Sequence, residues 1–125
     1  MVTVQNTTIE LAISLNDENG EPVFNYSING AECTGNVVMK ESGSITYQLT
    51  DTDEKFGELK FLGAGFVTPF DGIVDEVTIS ADGKEITLSD TDDVVGTTAF
   101  RLMLSNSVNT LTLISPDPQI LNKPN

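Results

Sequence analysis

Residues 77–89 read VTISADGKEITLS, in which two short runs of alternating apolar and polar residues flank Asp82-Gly83. Alternation with a period of two is typical of a β-strand that buries one face. An Asp-Gly pair between two such runs predicts a tight turn, because glycine reaches positive φ at no steric cost. This stretch therefore predicts a β-hairpin.

The same alternation recurs outside this hairpin, at Ile9-Leu11-Ile13-Leu15, Phe24-Tyr26-Ile28, Ile45-Tyr47-Leu49, Phe100-Leu102-Leu104 and Leu111-Leu113. Asn19-Gly20, Asn29-Gly30 and Asp71-Gly72 mark further turns. No window keeps the i, i+3, i+4, i+7 spacing of a helix. We expect an all-β protein of about eight or nine strands. A two-sheet antiparallel β-sandwich, immunoglobulin-like or Greek key, is the first choice, and a small barrel is the alternative.

The chain has 125 residues and a net charge of −13, from 19 acidic and six basic residues. This length fits a single domain over residues 1–125. A surface so acidic repels nucleic acid, whose binding depends on cations that neutralise phosphates. Anionic membranes are disfavoured for the same reason. The charge indicates solubility first, and a cation site or a basic partner second.

The cellular compartment is predicted from the N-terminus and from Cys33. A single cysteine forms no intrachain disulfide. The opening residues MVTVQNTTIELAISL lack the basic start and continuous apolar run of a signal peptide. No segment is apolar enough to predict a membrane span. We expect a cytoplasmic protein, with a secreted chain that lacks its leader as the alternative.

Two segments resemble each other. Residues 49–61 read LTDTDEKFGELKF and residues 88–100 read LSDTDDVVGTTAF. Each predicts a strand, an acidic loop, a turn at Gly57 or Gly96, and a second strand. We interpret the pair as a duplicated strand–loop–strand unit that places its two loops at equivalent positions, with chance similarity of two acidic loops as the alternative.

The two loops suggest a calcium site, because calcium prefers carboxylate and hydroxyl oxygens. Neither fits an EF-hand, which needs glycine at position six and glutamate at position twelve. A looser site between the loops, helped by residues 16–19, remains open. The alternative is that Asp and Thr cap turns by accepting from nearby backbone N–H groups. The candidate calcium ligands are Asp51, Asp53, Asp90, Asp92 and Asp93.

The sequence offers little for catalysis. Without histidine there is no Ser-His or Cys-His pair, and Cys33 has only Glu32 beside it. Paired carboxylates could serve a glycosidase, but the chain has no tryptophan on which a sugar could stack. Residues 63–65, Gly-Ala-Gly, lack the lysine and helix of a phosphate loop. They predict a bent or bulged strand packed on the core, or one that lines an apolar pocket. We expect no enzyme.

The C-terminal segment 115–125 reads SPDPQILNKPN. Proline lacks the N–H that an interior strand donates on one side, so Pro116, Pro118 and Pro124 argue against an interior position. Ile120 and Leu121 nevertheless give the segment something to bury. We expect an extended edge segment that closes the sandwich or docks onto a neighbouring chain.

The ending Asp117-Pro118-Gln119-Ile120-Leu121-Asn122, after a strand of the NTLTLI type and the DTDD loop, resembles the DP-EP family of small bacterial proteins. The ending is also similar to that of the bacterial inclusion-body protein family, whose β-sandwiches accumulate as intracellular assemblies. Both resemblances imply a β-sandwich inside a bacterial cell, and neither implies catalytic residues.

These observations favour a non-enzymatic β-sandwich module that acts through protein contacts, as a homo-oligomer. An open sheet has edges to protect, and the terminal segment is suited to docking. The alternative is a module that binds calcium or a small ligand through the two DTD loops. A carboxylate-dependent hydrolase acting on sugars is the third hypothesis.

Overall fold

The computed structural model describes residues 5–16, 18–91, 94–106, 111–116 and 118–123, without the side chain of residue 119. The alternating segments form strands, and their apolar positions face inward. Within the described residues there are eleven: β1 (Gln5–Leu15), β2 (Pro22–Ile28), β3 (Ala31–Cys33), β4 (Val37–Met39), β5 (Gly43–Thr52), β6 (Leu59–Phe66), β7 (Glu76–Ile79), β8 (Glu85–Asp90), β9 (Gly96–Asn106), β10 (Thr112–Ile114) and β11 (Gln119–Asn122). A single 3₁₀ turn, Glu54–Phe56, joins β5 to β6.

The first sheet has the strand order β3-β2-β1-β5-β8-β7. Three hairpins build it, and their turns are those that the sequence predicts. Asn29 and Gly30 both have positive φ, 51° and 82°, as a type I′ turn between β2 and β3 requires. Gly83 has φ 75° in the β7–β8 turn. In contrast to these antiparallel pairs, β1 runs parallel to β5.

The second sheet contains β10, β9, β11 and β4 in that order, with β6 also paired to β9. β10 pairs with residues 103–105 of β9 and β11 with residues 96–99, so these two short strands follow each other along one side of β9. β6 pairs with residues 100–106 of β9 and therefore lies on the other side. β11 runs parallel to β4 on its far side.

One hydrophobic cluster fills the space between the sheets. β1, β5 and β8 contribute Ile9, Leu11, Ile13, Ile45, Tyr47, Ile86 and Leu88, and the second sheet contributes Val37, Met39, Leu59, Phe61, Phe100, Leu102, Leu104 and Ile120. The Tyr47 ring meets the rings of Tyr26 and Phe100 edge-on, at 6.0 and 6.1 Å between centroids. The Tyr47 hydroxyl donates a 2.7 Å hydrogen bond to the carbonyl of Gly35. This core joins the two layers of the sandwich.

The all-β sandwich is confirmed. Residues 63–65 lie in β6 in regular register with β9, and the shift in the β6–β9 register falls just before them, between Phe61 and Gly63. The strand number exceeds the expected one because β3 and β4, of three residues each, are too short to show alternation. The expectation of purely antiparallel sheets is wrong for the β1–β5 and β11–β4 pairs.

The expected edge position of the C-terminal segment is also wrong, because β11 is hydrogen-bonded on both sides, to β9 and to β4. The prolines do limit the length of this strand, because none of them lies within β11. Pro116 and Pro118 precede β11, and Pro124 follows it. Four residues free of proline are enough for an interior strand.

The described residues contain no helix that is long and apolar enough to cross a membrane.

Candidate functional site

The two acidic loops lie at opposite ends of the sandwich. The antiparallel register of β5 and β8 places Asp90 opposite Gly43, the first residue of β5. Asp51 lies near the other end of β5, roughly 26 Å away at about 3.3 Å per residue. A calcium ion contacts its ligands at about 2.3–2.6 Å. A single ion therefore cannot bind both loops.

At the first loop, Asp53 caps the 3₁₀ turn. Its Oδ1 accepts a 2.9 Å hydrogen bond from the backbone N–H of Lys55. Asp51 is exposed beside a shallow depression of about 220 Å³ between β1 and β5. The segment after β1 shares this end, because β1 and β5 are parallel, and there the Oδ1 of Asn16 accepts from the N–H of Glu18. These contacts are those of turn-capping side chains.

At the second loop, Asp90 is buried at the end of β8. Its Oδ1 accepts a 3.1 Å hydrogen bond from the side-chain amide of Asn122. The same amide donates to the carbonyl of Val94 at 2.9 Å. Asn122 ends the Asp-Pro-x-Ile-x-Asn motif, so the motif ties the C-terminus to the acidic loop. Asp92 and Asp93 lie outside the described residues.

The two similar segments make the same kind of contact at both ends of the sandwich. Each carries the chain from the first sheet to the second, as β5 to β6 and as β8 to β9. In the first crossing, the buried Asn106 donates from its amide to the carbonyl of Phe56 at 2.6 Å. In the second, Asn122 donates to Val94. The two loops each follow a strand of the first sheet, β5 or β8. Because these two strands are antiparallel, the loops lie at opposite ends of the sandwich.

Neighbouring carboxylates cap backbone as well. Asp75 accepts from the N–H of Thr91 at 2.8 Å. Asp71 accepts from the N–H of Ile73 at 2.9 Å and from the hydroxyl of Thr68 at 2.8 Å. Slight burial opposes the charge of Asp71, but these hydrogen bonds outweigh it and hold its pKa below the ordinary value.

Within the described part of the chain, no three acidic or cysteine side chains come together as a group that could hold a metal. The calcium hypothesis stays a prediction, now for each loop separately.

The two outer faces of the sandwich differ in character. On the first sheet, the outward positions of β1, β5 and β8 are mostly polar, and neighbouring strands are joined by contacts such as the 2.9 Å hydrogen bond between the hydroxyls of Thr46 and Thr87. Ser44 donates to Asn6 at 3.0 Å on the same face. This face is typical of a sheet that meets water.

The outer face of the second sheet carries more large apolar side chains, beside the outward Lys60 and Arg101. Its central strand β9 turns Thr97, Ala99, Arg101 and Met103 outward, because the residues between them are buried. The register places Leu121 beside Thr97, Val38 beside Leu121, Gly65 beside Arg101, and both Ile114 and Gly63 beside Met103. Val38, Ile114 and Leu62 are exposed. We call these outward residues of the second sheet the apolar face.

Charge separates the two sheets in the same way. The five strands of the second sheet contain none of the 19 acidic residues, but they contain Lys60 and Arg101. The first sheet contains Glu10, Glu85 and Asp90, among others. The apolar face is therefore the least negative surface of a strongly negative molecule.

One end of the apolar face holds a depression of about 370 Å³, lined by Gly65, Phe66, Val67, Ala99, Phe100, Arg101 and Pro116. Its size falls in the range of small-ligand pockets. It is open because Gly65 and Ala99 present almost no side chain to the outer surface. Of the Gly-Ala-Gly stretch, Gly65 lines this depression, together with the charged Arg101.

Beyond the depression, the loop that leaves β6 presents Val67 and Phe70 to solvent, with 86% and 98% of each residue exposed. The loop is anchored by the hydrogen bonds of Asp71 and by Gly72, which lies against Val94 with φ 84°. Sequence reasoning missed this surface. The strand segments of the second sheet contain no acidic residue, and this feature of the sequence could have indicated the surface.

Comparison with known proteins gives one family. The model of the DP-EP family matches residues 7–124. No curated protein matches the chain.

Proposed function

The chain belongs to the DP-EP family, and from that premise we propose that it is a non-enzymatic β-sandwich module that associates with itself through the apolar face. A single observation supports this proposal, namely the contrast between a polar outer face on the first sheet and an apolar one on the second. A sheet face that meets only water gains nothing from Val38, Leu62 and Ile114 at outward positions.

Charge favours a second copy as the occupant. The apolar face carries Arg101 and no acidic side chain, whereas the acidic residues crowd the loops and the first sheet. Two copies can therefore meet through this face without bringing their acidic residues together, which contact through the first sheet would do. The proposal places this module in the bacterial cytoplasm, where an unpaired Cys33 needs no partner.

The test is sedimentation velocity of the full chain across a concentration series, with the double variant Val38→Thr/Ile114→Thr. Threonine keeps the β-branch, so the strands persist while apolar area is lost. Val23→Thr, an exposed valine on the outer face of the first sheet, is the matched control. We expect the double variant to raise the dissociation constant about tenfold or more, at roughly 25 cal/mol per Å² of apolar area lost. The control should leave it unchanged.

A parent chain that sediments as a monomer up to high micromolar concentration would rule out self-association. Equal weakening by Val23→Thr would show that the apolar face is not the surface involved.

A further inference from the structure

We propose that the two copies exchange Phe70, each ring entering the depression beside Arg101 on the other copy, so that the assembly closes as a symmetric dimer. This inference rests on the proposed self-association and names the contact that produces it. Phe70 is the most exposed large apolar residue among those described. The depression is bounded by Phe66, Val67 and Pro116 and has a volume of about 370 Å³.

The depression suits an aromatic ring that arrives with an acidic neighbour. Phe66 lines it, and the Phe66 ring packs on the buried ring of Phe100 at 5.3 Å between centroids. Arg101 lines it as well and can lie over the face of an incoming ring, a contact that a guanidinium favours. Asp71 follows Phe70 directly, Asp75 ends the same loop, and Glu76 begins β7. The arriving segment is thus apolar at its tip and negative behind it, which complements an apolar depression with a cation.

The Phe70 loop is ordered before it binds. Asp71 ties it through Thr68 and Ile73, and a turn closes with a 3.2 Å hydrogen bond from the N–H of Asp71 to the carbonyl of Thr68. A ring held on a fixed turn loses little conformational entropy on docking.

Closure at two copies follows from where the ring and the depression lie. Val67 lines the depression and Phe70 lies three residues further on, so both belong to one patch of each copy. When one patch supplies both halves of a contact, a two-fold axis lets both contacts form together. The exchange then uses both patches and leaves none for a third copy.

The decisive experiment is disulfide trapping between two different single-cysteine chains, each also carrying Cys33→Ser. One chain carries Phe70→Cys and the other Ala99→Cys, an exposed position in the depression. Since each chain has one cysteine, a 70–99 disulfide can form only between copies. The control pair replaces Ala99→Cys by Val23→Cys, on the first sheet. Mild oxidation should trap a covalent dimer of the 70–99 pair, with at least about tenfold more product than the control pair.

Phe70→Ala gives an independent measurement in the parent background. An almost fully exposed side chain contributes little to the fold, so unfolding should be unchanged while the dimer dissociation constant rises about tenfold or more. Arg101→Ala should also weaken the dimer. If the parent associates but the 70–99 pair traps no more than the control, or if Phe70→Ala leaves association unchanged, the exchange is wrong and the proposed function stands. If the parent is a monomer, both the Phe70 exchange and the proposed self-association are wrong.

Discussion

At the scale of single residues, two asparagines bind the loops that cross from the first sheet to the second. Asn106 and Asn122 are both buried, and each donates its amide to a backbone carbonyl of a crossing loop. Asn122 donates in addition to the buried carboxylate of Asp90. A buried polar group left without its partner costs far more than the net gain of forming the bond. These side chains should therefore matter more for stability than the exposed acids of the same loops.

Asn122→Ala should lower the free energy of unfolding by about 1–3 kcal/mol, because it removes two hydrogen bonds and withdraws a donor from a buried carboxylate. Urea denaturation measures this loss. Asn25→Ala, which removes an exposed 3.5 Å contact with Ser14, is the matched control and should cost no more than about 0.5 kcal/mol. Equal effects of the two substitutions would contradict the structural role assigned to the family ending.

Tyr47 should make the fold sensitive to alkali. Burial raises the pKa of its hydroxyl above the ordinary value of 10.0, with smaller contributions from Tyr26 and Cys33. Above pH 10 the unfolded chain releases this proton and the folded chain keeps it. Stability is therefore fully present below pH 10 and falls as the pH rises further, by up to about 1.4 kcal/mol per pH unit.

Urea denaturation of the parent and of Tyr47→Phe, at pH 8 and at pH 11, tests this linkage. The variant should be about 1–2 kcal/mol less stable at pH 8, because it lacks the bond to Gly35, and its stability should fall less steeply above pH 10. Parallel slopes for the two proteins would contradict the assignment to Tyr47.

At the scale of elements, the long alternating strands could be predicted from the sequence and the pairing partners could not. The alternation of β1, β5 and β9 decides which face each strand buries, since a slip of one residue would expose its whole apolar set. It says nothing about which strand lies alongside. β1 bonds to β5 in parallel although a long stretch of chain separates them, and no local signal marks such a pair.

The candidate site was predicted less well than the fold, for a similar reason. Whether Asp51 and Asp90 share an end depends on the direction of β8 against β5, which the residues around each loop do not reveal. The apolar face depends on which strands join β9. Gly63 and Gly65 of β6 lie far from Ile114 of β10 in the sequence, and they share one face only because both strands pair with β9.

The interior position of β11 predicts a large effect from a terminal substitution. Ile120 is fully buried between the sheets, so Ile120→Ala should lower the free energy of unfolding by about 2–5 kcal/mol. Ile114→Ala, on the exposed side of β10, should cost far less. Guanidinium denaturation compares the two. If both substitutions had similarly small effects, β11 would not be an interior strand, and the C-terminal segment would be free to dock onto a neighbouring chain.

At the scale of the whole molecule, the proposed self-association must overcome the repulsion between two negatively charged copies. Two copies of −13 repel each other wherever they meet. The sheet without acidic residues is the surface on which this repulsion is weakest. The same charge keeps the first sheet and its loops apart from those of other copies. The charge distribution therefore favours one defined contact over general aggregation.

This balance predicts an unusual response to salt. A contact held mainly by ion pairs weakens as salt is added, because screening removes attraction. Here apolar burial holds the contact and the net charge opposes it. The proposed stacking of Phe70 on Arg101 should depend less on ionic strength than the repulsion between the two chains does. Raising ionic strength from about 0.01 to 0.1 M shortens the screening length from about 30 to about 10 Å. The dimer dissociation constant should therefore fall several-fold over this range, as sedimentation equilibrium can measure.

Phe70→Ala should follow the same trend from a weaker starting value, since the substitution leaves the net charge unchanged. If salt instead weakened the parent dimer, ion pairs would be its main support, and the acidic loops rather than the apolar face would have to supply the contact.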